Sequence, residues 1–221
     1  MLRATVPWRT VRSFHGRPHY AGWYWSATTK GFVTYESRLE LSRLILADQD
    51  QSISWIVSQP FLMSGRDDEV GRRRNHVPDF AFIERTGGVA ISNVKPSEKL
   101  AVENVRVALE WAERSLATRG WRHEVWTGAD PVLLANVGFL ASYRIRERCS
   151  SEALSAVRSF VEAPISILEI EEACLTDLPV THIRPAILHC IWTGELSANL
   201  EEPLDRYSLV GPSASNEPES A

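Results

Sequence analysis

The sequence predicts an α/β fold: a mixed sheet flanked by helices, followed by a small winged-helix-like C-terminal module. Three observations predict it. Short β-rich runs and helical stretches succeed one another up to residue 146, in the order strand, helix, strand, hairpin, helix, strand, helix. Two of those runs, 76–83 and 89–95, are joined by Glu84-Arg85-Thr86-Gly87-Gly88, a turn that pairs them as an antiparallel hairpin. Near Arg148 the composition changes to three short helix-like pieces and two short strands, the order of a helical module with a wing. The expected domains are therefore 1–147 and 148–210, with a disordered tail over 211–221.

The elements follow in chain order. Residues 1–19 are basic and include Gly16-Arg17-Pro18-His19. Tyr20 to Trp25 is an aromatic run, and Gly31-Phe32-Val33-Thr34-Tyr35 is a strand. These aromatics suit sheet packing better than base stacking. A helix over 36–47 carries Leu39, Leu41, Leu44, Ile45 and Leu46 on one broad face. Ser37 and Glu40 have capping-box spacing at its start. Residues 53–61 form a strand that Pro60 ends, and 64–75 read as a polar loop containing Arg66 and Arg72-Arg73-Arg74. A helix over 97–118 stops at Gly120, a strand covers 121–126, and another helix covers 130–146. The three later helices are expected near 151–162, 166–174 and 182–192. The wing strands are expected at 194–196 and 207–210.

Composition excludes several classes. With 221 residues, 44% hydrophobic and 24% charged, the chain is an ordinary globular one. It has no apolar run long enough to span a membrane and no signal-peptide-like segment, so a cytoplasmic location is expected. Cys149, Cys174 and Cys190 are odd in number and lack metal-ligand spacing, as reduced core cysteines do. Residues 1–146 hold 20 Lys and Arg against 15 Asp and Glu, a net of +5. Residues 147–221 hold 4 against 13, a net of −9. A basic front with an acidic back fits an anionic partner for the front, and it equally fits uneven surface chemistry.

Within the 76–95 hairpin, Asp79 opens one strand while Asn93 and Lys95 close the other. Residues 93 and 95 share a strand face, so a carboxylate, an amide and a lysine meet at one sheet edge. This is the layout of a PD-(D/E)xK nuclease core. A hard cation such as Mg²⁺ binds through one or two carboxylates and offsets charge on a phosphodiester, and a lysine can serve the attacking water. Asp, Asn and Lys also end ordinary strands, so these two strands alone leave both readings open. Glu40 can point to the hairpin as a ligand or simply cap its helix, with Glu36 one turn earlier as the fallback. Gln59 and His76 are neighbours of the site or strand-end polars, and Arg72, Arg73 and Arg74 grip phosphates or line a solvated loop.

Taken together, Gly16-Arg17-Pro18-His19, Ser37-x-x-Glu40, Gln59-Pro60-Phe61, Pro78-Asp79-Phe80 and Asn93-Val94-Lys95-Pro96 resemble TnsA. TnsA proteins are restriction-endonuclease-like endonuclease subunits of heteromeric transposases. The resemblance runs from Gly16 to about residue 146. It implies catalytic roles for Glu40, Asp79, Asn93 and Lys95, with metal held by Glu40, Asp79, Asn93 and the Val94 carbonyl. Asn93 stands where the family has an acid or glutamine, and its carbonyl oxygen is the ligand implied. Mg²⁺ is the implied cofactor, with Mn²⁺ as a substitute. The implied substrate is DNA at the transposon 5′ ends, bound with little sequence specificity, with Arg17, Arg72, Arg73 and Arg74 as contacts. The implied partners are a TnsB-like integrase-type subunit and a TnsC-like AAA+ regulator, the latter through the C-terminal region. Two alternatives stand beside this reading: a restriction or phage-defence nuclease of the same fold, and a non-catalytic adaptor.

Overall fold

The computed structural model describes residues 8, 20–69, 71–175 and 178–213. Arg17, the motif around it and residues 214–221 lie outside these. The chain divides into two compact units, Met1–Gly128 and Ala129–Ala221.

In the first unit, β1 (Gly22–Ser26) and β2 (Gly31–Tyr35) form an antiparallel hairpin that leads into α1 (Arg38–Gln49). The Ser37 hydroxyl accepts the Glu40 N–H at 3.1 Å and so starts the helix where the sequence places the cap. Near the other end of α1, the buried Asp48 carboxylate accepts bonds from the Tyr24 hydroxyl (2.8 Å) and from the N–H groups of Ala27 and Thr28. That carboxylate binds the β1–β2 turn to the helix.

Strand β3 (Ile53–Ser58) is followed by β4 (Met63–Asp67), β5 (Arg72–His76), β6 (Phe80–Glu84) and β7 (Val89–Val94). After α2 (Ser97–Leu100) and α3 (Glu103–Ala117), β8 (Arg122–Trp126) completes the unit. The sheet order is β3-β6-β7-β8: β3 and β7 run antiparallel to β6, and β8 runs parallel to β7. It is a mixed sheet flanked by helices, as the sequence predicts at this level. Alternation along the strands divides the core. Ile56, Phe80, Phe82, Ala90 and Val94 pack with Leu44 and Ala47 of α1. Val57, Ala81 and Ile91 pack with Trp111, Ala112 and Leu116 of α3 on the other face.

Three expectations are corrected here. The polar loop over 64–75 is a hairpin, β4–β5 in full register. Its inner row, Met63, Gly65 and Asp67, is nearly devoid of the apolar alternation that identifies strands in sequence. The continuous helix over 97–118 is interrupted at Ala101 and Val102. The helix over 130–146 ends at Leu140 and continues as two 3₁₀ turns.

The second unit begins with α4 (Pro131–Leu140), capped by the Asp130 carboxylate on Val132 N–H at 2.8 Å. The expected boundary at 147 falls instead at 128, because Asn136 on α4 bonds into its own unit. Its amide donates to the carbonyls of Leu200 and Glu202 and accepts from Leu204 N–H. Next come α5 (Ser151–Phe160), β9 (Ile165–Ser166), α6 (Ile167–Cys174) and α7 (Val180–Trp192), then β10 (Leu196–Ala198) and β11 (Leu209–Pro212). The three strands form a small antiparallel sheet in the order β10-β11-β9. Helix α7 is the core of this unit, with Ile183, Ala186, Ile187, Ile191 and Trp192 buried. Gly211 and Pro212 belong to β11, so the proposed tail does not begin at 211. Cys149 and Cys190 are buried free thiols, and burial pushes Cys190 up to about 12, where it is inert as a nucleophile. No helix among the described residues is long and apolar enough to cross a membrane.

Candidate active site

The register of β6 and β7 pairs Phe80 with Ser92, which sets Asp79 just before β6 beside the last residues of β7. The backbone fixes it from both sides. Asp79 N–H donates to the Ser92 carbonyl at 3.2 Å, and Asp79's own carbonyl accepts Gln59 N–H at 2.9 Å. Gln59 is buried and holds a left-handed backbone, φ 46°, that non-glycine residues seldom adopt. Its demonstrated contribution is this backbone clasp at the end of β3.

Asp79 Oδ2 accepts two bonds, from Val94 N–H at 2.7 Å and from Lys95 Nζ at 3.0 Å. Lys95 Nζ also donates to the Val94 carbonyl at 3.0 Å. A carboxylate, a carbonyl and an ammonium thus meet at the ends of adjacent strands, with Asp79 and Lys95 partly exposed.

Glu40 stands in the first turn of α1. Its Oε2 accepts Glu36 N–H at 2.7 Å, and its Oε1 accepts the Ser37 hydroxyl at 3.1 Å. Ser37 caps the helix as the sequence predicts, but the Glu40 carboxylate accepts the N–H of Glu36 where a capping box would have that of Ser37, and it has a second property. Burial, with added repulsion from Asp79, pushes the Glu40 carboxyl up to about 7 against the two hydrogen bonds. One turn further on, Arg43 Nε donates to Glu124 Oε1 at 2.7 Å, and Ser92 Oγ donates to the same oxygen at 2.7 Å. Burial raises the Glu124 carboxyl, but these bonds outweigh it and the net shift is downward. The Arg43–Glu124–Ser92 knot ties α1 to β7 and β8, and so fixes where Glu40 stands. None of these three was singled out in the sequence, because their pairing depends on contacts between residues far apart in the chain.

Asn93 behaves differently from its expected partners. Its side chain is fully buried, on the Ile91 face of β7 and opposite to Val94. Its Oδ1 lies 2.7 Å from His76 Nε2, and its Nδ2 lies 2.7 Å from His123 Nε2. An amide nitrogen only donates, so His123 accepts at Nε2 and is neutral there, whereas His76 donates to the carbonyl oxygen. Burial, with repulsion from His76, lowers His123 in spite of Glu113 and Glu124. His76, placed by sequence near the site, belongs to this bracket, and His123 is its unforeseen third member.

The arginine run divides. Arg74 pairs with the buried Asp67 across the β4–β5 hairpin, and Arg114 of α3 reaches the same carboxylate at 3.5 Å. Arg74 is therefore committed to holding the hairpin together through Asp67. Arg72 and Arg73 are exposed.

Among the described residues, no group of three or more His, Cys, Asp or Glu is arranged to hold a metal ion. The oxygens of Asp79, Glu40 and the Val94 carbonyl are nevertheless a hard donor set suited to Mg²⁺ or Mn²⁺. The repulsion between Asp79 and Glu40 is what a cation would relieve. No family model matches the chain, and no curated protein matches it either.

Proposed function

We propose that the chain is a metal-dependent DNA endonuclease subunit of a heteromeric, TnsA-like transposase, with a restriction-endonuclease-like fold. The observation that carries this reading is that Lys95 Nζ lies 3.0 Å from both Asp79 and the Val94 carbonyl at adjacent strand ends, with the Glu40 carboxyl held up by burial and, to a lesser degree, by the Asp79 charge. Asp79, Glu40 and the Val94 carbonyl would hold Mg²⁺ or Mn²⁺. When bound, the cation supplies Lewis-acid stabilisation of the phosphate charge. Asp79 keeps Lys95 at hand, and the ammonium orients a water and offsets anionic charge at the scissile phosphate. Ser37 and Glu36 N–H aim Glu40 while the Arg43–Glu124 pair anchors its helix.

The reading extends to the second unit. Helices α5, α6 and α7 followed by β10 and β11 support a winged-helix-like module. The excess of acids after residue 146 suits a protein partner, the TnsC-like AAA+ regulator, better than a DNA groove. Recognition of the transposon ends falls to the TnsB-like subunit. The reading is tested by 5′-strand cleavage with the partner subunit present, comparing wild type with Asp79→Ala. Cleavage by the variant at the wild-type rate would refute it.

One observation favours a second reading, a non-catalytic adaptor of the same complex. Asn93, at the position of the third ligand, is taken up by His76 and His123. Retained complex assembly without any metal binding would select this alternative.

A further inference from the structure

The β4–β5 ribbon has two unlike faces. Toward α3 it turns Met63, Gly65, Asp67 and Arg74, with Asp67 buried beneath Arg74 and Arg114. Gly65 permits this close approach, since a Cβ there would come within 3.2 Å of the Trp111 ring. The other face carries Ser64, Arg66, Arg73 and Asn75, and all four are exposed. The register sets Ser64 opposite Asn75 and Arg66 opposite Arg73.

Two arginines directly across a strand pair repel each other, and such a pair is destabilising when nothing lies between them. Here the neighbouring acids do little to relieve it. Asp68 approaches Arg66 only to 3.7 Å, with both side chains well exposed. Glu69, the other acid of the turn, is drawn to Arg114 at 3.0 Å. The face itself carries two guanidinium groups, a hydroxyl and an amide, and neither a carboxylate nor an apolar side chain. Those are the groups that bind phosphate oxygens without reading bases. The ribbon is also fixed from behind by the Asp67 pairs, and β5 ends at His76, three residues before Asp79.

We infer that the outer face of β4–β5 binds the phosphate backbone of duplex DNA, with Arg66 and Arg73 as a paired clamp flanked by Ser64 and Asn75. The inference rests on the nuclease reading for its choice of DNA. It reassigns the arginine run: Arg73 works with Arg66, while Arg74 maintains the ribbon. Asp68 and Glu69, the exposed acids of the turn, direct the duplex toward the Ser64–Asn75 end, which is the end nearer to Asp79.

The test uses the full chain and a short fluorescein-labelled duplex of arbitrary sequence, with anisotropy followed as NaCl is raised. Arg66→Ala/Arg73→Ala is expected to lower the slope of log affinity against log salt by about 2, one released counterion for each arginine. Arg85→Ala, a charge control at the β6–β7 turn, is expected to keep the slope. Near-unchanged circular dichroism and melting of the double variant verify its folding, since both side chains are exposed. An unchanged slope in the double variant, or no duplex binding by wild type even at low salt, overturns the inference. So does retained duplex binding with lost binding of poly-glutamate, which would assign the face to an acidic protein. Mn²⁺ titration of the same double variant reports separately on the nuclease reading. Intact metal binding with an unchanged slope refutes the clamp alone, and absent metal binding in wild type refutes the nuclease.

Discussion

Lys95 and Asp79 form an ion pair at 3.0 Å, and the same ammonium lies 3.0 Å from the Val94 carbonyl. The chain's own cation thereby bridges two of the oxygens proposed to hold the metal. A cation held by those oxygens would compete with the ammonium and leave it free for the phosphate. Lys95→Met is therefore expected to bind Mn²⁺ more tightly than wild type by calorimetry while losing about 10²–10⁴-fold in cleavage rate. Weaker Mn²⁺ binding by this variant would refute this competition.

Glu40 links the same site to pH. Its carboxyl titrates at about 7 in the folded chain against an ordinary 4.5, so folding takes up a proton between those values. The folded state binds more protons there, and stability falls as pH rises from about 4.5 to about 7, then stays lower. Glu40→Gln is expected to flatten that dependence and to melt higher than wild type above pH 7, by at most about 3 kcal/mol. Denaturant melts across this range measure it. A variant with the same slope as wild type would show that Glu40 is not the group responsible.

Asn93 gives a prediction about structure rather than chemistry. Asn93→Ala leaves His76 and His123 without their shared amide and is expected to destabilise the first unit by about 1–3 kcal/mol. On this account Mn²⁺ affinity changes little, since Asp79, Glu40 and the Val94 carbonyl remain. Loss of metal binding with retained stability would instead make Asn93 a ligand.

Phe82 lies 1% exposed between β3 and β7, with the Arg43 guanidinium 4.4 Å from its ring centroid. Phe82→Ala is expected to lower stability by about 3–5 kcal/mol in chemical denaturation. A loss below 1 kcal/mol would mean that this face of the sheet is not the core described.

Where sequence signals were local, they located structure well. Thr86-Gly87-Gly88 marks the β6–β7 turn, and Gly87 there has φ 91°, which glycine adopts without strain. Ser37 and Glu40 mark the start of α1 because a cap is a contact between near neighbours. The β4–β5 ribbon escaped because its inner row ends in Asp67, a carboxylate buried only by virtue of Arg74 and Arg114. No propensity records such a pairing. The same holds for the site: Asp79 and Lys95 were legible from their places in one hairpin. His123 was not, because it meets Asn93 through the parallel pairing of β7 with β8, thirty residues on.

Calorimetric titration of Mn²⁺ into wild type, Asp79→Ala and Asp79→Asn tests metal binding at Asp79 without any partner or DNA end. Binding by wild type is expected to be abolished in Asp79→Ala and strongly weakened in Asp79→Asn, which retains an acceptor for Val94 N–H. Equal binding by all three, or none by wild type with duplex DNA present, would contradict a metal site at Asp79.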